Sequence, residues 1–328
     1  MMVMRIFWTS IQSVISIVLF MAVGYFCRAK GWFSDKFSKG LSQLIMKIAL
    51  PCGIFTSMLK RFHLNQLKSL SKGLVYTILA ILIGYVISWI AVKVLRVPKG
   101  KRGLMMTGIN GANTVFIGMP LNIALFGQVS IPYLLVYYII NTIIIWTLGV
   151  WVIAGDDPTA DGKKGVQIDW KHFLPAPIWG FIIAIPFLIW MPNAATTLPT
   201  FITNTLTGLG NLVTPLSLMY IGIMLKDFGI SNIRFDKYLN ISLIGRFIVS
   251  PLIMFGLVYF GMHVMGIGMF SMFRKTLIIQ SATPSLAVLP ILADQYHGDV
   301  QFATNLVVAT STLFVIVVPV IMLLLNFM

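Results

Sequence analysis

The chain is nearly without acid: nine of its 328 residues are Asp or Glu, against 24 Lys and Arg. No apolar stretch long enough to cross a membrane holds a central Asp or Glu, and Asp294, near the end of one, comes closest. A mid-membrane carboxylate, the usual element of proton relays and many sodium sites, is therefore not visible. Cysteine is as scarce, with only Cys27 and Cys52, both in apolar segments and at no metal-ligand spacing. That leaves neither a disulfide framework nor a cysteine metal centre. The four histidines, His63, His172, His263 and His297, fall in loops or at the ends of apolar segments, and none belongs to an H-E-x-x-H motif. A membrane-embedded enzyme needs a nucleophile–base pair, paired acids or metal ligands, and none of these is in evidence; no cofactor is implied either. Extended polar sequence is also missing, apart from one stretch from Gly155 to His172 that is too short for a domain.

What is present is apolar. Hydrophobic residues make up 58% of the chain and charged ones 10%, with a mean hydropathy of +0.91. Repeated stretches long enough for a hydrocarbon core of about 30 Å make this an all-α polytopic membrane protein. Ten transmembrane helices are expected, at 7–27, 37–58, 70–95, 102–126, 131–154, 174–191, 200–225, 238–261, 274–295 and 301–326. The first is read as a retained span, because one basic residue (Arg5) precedes it and no small-residue cleavage site stands out. The polar stretch divides five spans from five. Five is odd, so two such units in tandem must lie in opposite orientations. The expected organisation is a five-helix repeat at 1–154, a linker at 155–173 and an inverted five-helix repeat at 174–328. Two proline pairs, Pro51 with Pro215 and Pro120 with Pro290, recur about half a chain apart. Lys and Arg are concentrated around 28–39, 93–102, 163–171 and 226–237, with fewer at Arg5, 60–72 and 274–275. The positive-inside rule places the richer side in the cytoplasm, which puts both termini outside. The net charge of +15 thus reads as topology and not as a nucleic-acid surface.

Two segments in matching places carry residues that a plain membrane helix avoids. One is Gly108-Ile109-Asn110-Gly111-Ala112-Asn113-Thr114, followed by Pro120; the other is Ser281-Ala282-Thr283-Pro284-Ser285, followed by Pro290. A backbone break in lipid is tolerated only where protein or a water-filled cavity satisfies the freed groups. Paired breaks in the two halves are the best sequence pointer to a transporter's binding site. Each break presents a half-helix N-terminus, whose free N–H groups and dipole favour an anion. Gly108 and Gly111 allow close approach and unusual dihedrals, Asn110, Asn113 and Thr114 bring neutral donors and acceptors, and Thr283 and Ser285 add hydroxyls. Pro284 lacks an N–H and frees the carbonyl one turn earlier. Together they make a small polar site suited to a carboxylate. Asn141 on span five either lines that site or bonds a neighbouring helix. Pro51 and Pro215 read as kinks or hinges, while Arg246 in span eight and Lys47 either balance substrate charge in a cavity or snorkel to an interface, the second being preferred.

Asn113-Thr114-Val115-Phe116-Ile117-Gly118-Met119-Pro120-Leu121 resembles the N-T-x-x-x-G-x-P-L signature of the auxin efflux carrier family. That family includes the plant PIN-FORMED carriers and bacterial permeases for malate and other organic acids. The run from Ala282 to Pro290, ending at Ala293-Asp294-Gln295-Tyr296, is similar to the family's ninth span, and Ile48-Ala49-Leu50-Pro51 to its second-span proline motif. The resemblance implies a fold related to bile-acid sodium symporters, with a scaffold bundle and a mobile transport bundle. Substrate would bind where spans four and nine cross and move by an elevator-like motion. It also implies that Asn113 contacts the carboxylate, that Pro284 is the crossover proline, and that Asn141 is near a polar position lining the same site. A homodimer through the scaffold is implied by the related fold alone. One departure stands out: Ala112 fills the place where plant carriers have a proline, so the first break rests on Gly111. The long cytoplasmic loop of many plant members is missing as well. The function expected is secondary transport of a small organic anion across the cytoplasmic membrane. Sodium-coupled uptake is the alternative within transport, and a receptor or embedded enzyme the alternative outside it.

Overall fold

The computed structural model describes residues 2–61, 67–159, 176–191, 197–229 and 233–325. The linker beyond Thr159, with His172, and the loop residue His63 lie outside these. The described residues form helices joined by turns and loops, with no strand among them. In chain order the helices are α1 (Met2–Ala29), α2 (Asp35–Leu44), α3 (Leu50–Arg61), α4 (Leu67–Val94), α5 (Arg102–Asn110), α6 (Met119–Phe126), α7 (Ile131–Ile144), α8 (Val150–Ala154), α9 (Ala176–Trp190), α10 (Thr200–Asn211), α11 (Val213–Phe228), α12 (Lys237–Ile244), α13 (Ser250–His263), α14 (Ser271–Ser281), α15 (Leu289–Gln295) and α16 (Val300–Leu325). Single π-helical turns at Ile45–Ala49, Thr114–Gly118, Ile145–Gly149 and Gly245–Val249 join several of them end to end. Among the described residues, five continuous stretches are long and apolar enough to cross a membrane: Asp35–Lys60, Gly73–Val94, Gln128–Ala154, Thr200–Asp227 and Lys237–His263. The two segments expected to be broken yield only short helices, as an interruption near the middle dictates.

Two sets of helices pack closely among themselves, with further contacts between the sets, α1 on α16 and α11 on α6 among them. In one, α1 lies along α11, and α3 packs on α9 and α10. In the other, α4 packs on α5, α7 and α13, α14 on α7, and α16 on α12 and α15. The first group is held by glycines at its closest crossing. A Cβ on Gly222 would sit 1.9 Å from the Met21 carbonyl oxygen, and one on Gly24 2.0 Å from that of Met219. Helices in membranes gain from such close approach because lipid supplies no hydrophobic driving force between them. At the ends of the same pair Arg28 bonds both Asp227 and Asp35. Gly222→Val forces the two backbones apart, and the expected cost is about 1–3 kcal/mol. A lowered melting temperature of the purified protein in detergent, without a matching loss in Gly256→Val, whose added Cβ meets nothing within 4 Å, checks this.

Polar caps fix the helix ends outside the apolar zone. Asp236 accepts from Leu239 N (2.7 Å) at the start of α12, and Asp299 from Phe302 N (2.8 Å) at the start of α16. The first residues of the expected linker are folded against this end. The Asp156 carboxylate receives Gly103 N (3.1 Å) at the first turn of α5. Asp157, hydrogen-bonded by Thr159 and paired with His297, is held down at a pKa of about 2.

Candidate functional site

The two interruptions meet. Ala112 and Ser285 face each other as an isolated antiparallel bridge, framed by Asn113 N donating to Pro284 O (2.8 Å) and Leu286 N donating to Gly111 O (3.1 Å). Such a bridge puts four main-chain polar groups in partnership at a depth where none could stay unpaired. Its outer edges are closed by side chains. Asn141 on α7 accepts from Ala112 N through Oδ1 and donates to Ala112 O through Nδ2, both at 3.0 Å, so its amide stands in for a neighbouring strand. On the far side, Thr310 Oγ1 accepts from Ser285 N (3.2 Å). Ala112 supplies the N–H that a proline would lack, and that bond to Asn141 depends on it.

The carbonyls freed at the two breaks are also accounted for. At the end of α5, Thr107 O accepts from Gly111 N (2.7 Å), Gly108 O from Ser285 Oγ (2.7 Å) and Ile109 O from Arg246 Nη1 (2.8 Å). At the end of α14, Gln280 O accepts from Thr283 Oγ1 (2.9 Å), Ser281 O from Ser250 Oγ (3.0 Å) and Thr283 O from Arg246 Nε. One guanidinium therefore joins the negative ends of both half-helices. Arg246 is 0% exposed, which corrects the expectation that it snorkels. Its place in a π-helical turn turns the residue inward, where the helix dipoles and two carbonyls favour a cation. Its Nη2 remains without a partner. Lys47, by contrast, is exposed.

Of the residues singled out in the sequence, Asn113 lines a cavity. It starts the second half of the broken segment, its Oδ1 accepting from Phe116 N (3.3 Å), and Thr114 opens the π-helical turn behind it. Its Nδ2 makes no hydrogen bond to a described residue. The cavity has a volume of about 10 Å³ and is walled by Ile221, Met224 and Leu225 of α11 and by Ala287, Val307 and Ser311. That is room for one water and not for a dicarboxylate. Asn110 faces away: its Nδ2 donates to Ser88 Oγ (3.0 Å) and Met106 O (2.8 Å). Thr283, Pro284 and Ser285 build the bridge through their backbones and hydroxyls, as above. Gly111 has φ −82° and ψ 117°, which any residue adopts, so its expected unusual dihedral is not there. Space requires the glycine instead, because a Cβ would lie 2.7 Å from Leu286 Cδ2 and 2.8 Å from Thr107 O. Pro290 sits in the first turn of α15, where proline costs no hydrogen bond, while Pro120 lies directly after the π-helical turn Thr114–Gly118 that runs on into α6. Pro51 and Pro215 follow the Ile45–Ala49 turn and the α10–α11 break, at the start of α3 and α11, away from the bridge.

Sequence reasoning passed over Asn122, Thr276 and Gln280. All are 0% exposed, in facing positions of α6 and α14. Gln280 Nε2 donates to Gly118 O (3.0 Å), while Gln280 Oε1, Thr276 Oγ1 and both polar atoms of the Asn122 side chain lack partners. The signal was the pair Thr276 and Gln280 one turn apart on α14, and a lone Asn122 in the apolar run of α6.

Residues 9–322 match the family of membrane transport proteins. An uncharacterized transporter of Methanothermobacter thermautotrophicus is 23% identical over 320 residues, covering 96% of this chain and 98% of its own. A second, from Methanocaldococcus jannaschii, is 24% identical over 308 residues, covering 93% and 95%. The resemblance to auxin efflux carriers read from Asn113–Leu121 and Ala282–Pro290 agrees with these matches, and the chain belongs to that family of membrane transport proteins.

Proposed function

We propose that this protein is a secondary transporter of the cytoplasmic membrane that carries a small organic anion, malate or a related carboxylate, by alternating access. The observation that carries the reading is the bridge between two broken helices with Asn113 beside it, facing a cavity whose opposite wall belongs to the other helix group. The proposed architecture is ten spans in two inverted repeats, 1–154 and 174–328, joined by 155–173, with both termini outside. In this scheme the breaks are the crossover of spans four and nine.

The chemistry follows from the groups present. Asn113 Nδ2 is a neutral donor at the positive end of the turn and helix running from Thr114 to Phe126. A carboxylate placed there accepts from it and gains from the dipole. Behind the bridge Arg246 supplies a fixed positive charge, with no Asp or Glu bonded to it among the described residues. The wall formed by Ile221, Met224 and Leu225 is apolar, so the bridge-bearing group can slide past it without breaking hydrogen bonds. Widening the cavity on one side of the membrane and then the other is the elevator motion proposed.

Sodium-coupled uptake is the second reading, and the partnerless buried oxygens of Asn122, Thr276 and Gln280 favour it. Uptake of labelled malate into proteoliposomes, with competing carboxylates and with or without a sodium gradient, separates the two. Saturable uptake indifferent to sodium is expected. Uptake that requires sodium would transfer the reading to the symporter, and no uptake under any gradient would reject malate.

A further inference from the structure

A second polar hollow lies away from the bridge, where α4 ends and α5 begins. It has a volume of about 570 Å³, with Lys93, Arg96 and Arg102 for its cations and Trp89 and Trp151 among its apolar lining. The cations of this hollow are gathered on one surface without an acid paired to them. Elsewhere on the molecule Lys101 is paired with Asp299 (3.2 Å) and Asp236 (3.8 Å), and Arg28 with Asp35 and Asp227. Lys93, Arg96 and Arg102 form no ion pair among the described residues. Lys93 Nζ rests 3.8 Å from the centre of the Trp89 ring, and Arg102 Nε donates to Val97 O (2.7 Å). The one acid of the hollow, Asp156, is buried and spends its carboxylate on Gly103 N.

The backbone adds an independent observation. Arg96 has φ +52° and closes α4, its N–H donating to Lys93 O (3.2 Å) while Val97 N donates to Val92 O (3.1 Å). Glycine is the usual residue at such a left-handed helix end, and a branched or long side chain there is strained. The flanking Trp89 and Trp151 are 47% and 61% exposed, as rings at a membrane–water interface are.

We propose that this hollow binds the phosphate headgroup of an anionic phospholipid from the surrounding bilayer, with the Lys93, Arg96 and Arg102 cations on the phosphate and the two tryptophans along the glycerol and upper acyl chains. The mixture argues for a lipid over a free anion, since a free anion has no use for exposed indoles. Basic hollows between spans at the membrane surface are the general form of lipid headgroup sites.

The test is native mass spectrometry of the full-length, delipidated protein offered equal phosphatidylglycerol and phosphatidylcholine. The expected result is at least tenfold more retained phosphatidylglycerol. Each neutralised cation should weaken binding about fivefold, so Lys93→Gln/Arg96→Gln should cut it about twenty-five-fold. Arg96→Gly relieves the backbone, keeps the fold, and should still lose about fivefold. Lys36→Gln/Lys39→Gln removes as much charge from exposed positions elsewhere and should change nothing. Equal retention of the two lipids, an equal loss in the Lys36/Lys39 variant, or displacement of phosphatidylglycerol by millimolar glycerol phosphate would each overturn the proposal.

Discussion

Arg246→Met is expected to lower the melting temperature of the purified protein by on the order of 10 °C and to abolish transport. The opposing terms are both large. Burying a guanidinium without a carboxylate partner costs several kcal/mol, and an apolar residue of the same length removes that cost. The same change leaves Ile109 O and Thr283 O with no donor, and each buried unpaired carbonyl costs about 1–3 kcal/mol. It also removes the cation that bonds carbonyls at the C-terminal ends of α5 and α14. The carbonyls belong to the backbone and cannot be substituted away, so the loss of their donor outweighs the relief. Arg246→Lys should recover part of the stability, because an ammonium lacks the fork that serves both oxygens. A melting temperature at or above wild type for the methionine variant would show that the burial cost dominates instead.

Asn141→Leu should have an effect of similar size for a different reason. The substitution keeps volume and removes the donor and the acceptor that Ala112 uses. Two buried main-chain groups then lack partners, at roughly 2–5 kcal/mol together. Asn141→Asp separates the two bonds, since an ionised carboxylate still accepts from Ala112 N but cannot donate to Ala112 O. The expected order of melting temperature is wild type, then aspartate, then leucine, and uptake should fall in the same order. Leucine at wild-type stability would mean that Ala112 finds other partners and that Asn141 does not hold the bridge.

The positions of the two interruptions were legible because Gly, Asn and Pro in 108–120 and 281–290 are costly inside a lipid-facing helix. Their meeting as a bridge between Ala112 and Ser285 was foreseeable only as a crossing, since register is a tertiary property with no local signal. What each polar residue bonds was the least legible. In a soluble helix polarity marks the outward face, but lipid is as apolar as the protein interior, so the sequence does not say which way Asn110, Asn141 or Arg246 points. Arg246 was misjudged for that reason, since long cations near apolar segments commonly reach an interface. Of the two properties expected of Gly111, the close approach is there and the special dihedral is not, because either one asks for glycine. The matches at 23% and 24% identity leave the substrate to be read from the site itself.

The central claim is that an organic anion is held by Asn113 beside the bridge. It is tested most directly by saturable uptake of labelled malate into liposomes containing wild type or Asn113→Ala at matched reconstitution and matched melting temperature. Saturable uptake by wild type that is lost in Asn113→Ala is the predicted result. Undiminished uptake in Asn113→Ala would leave a transporter but contradict the site.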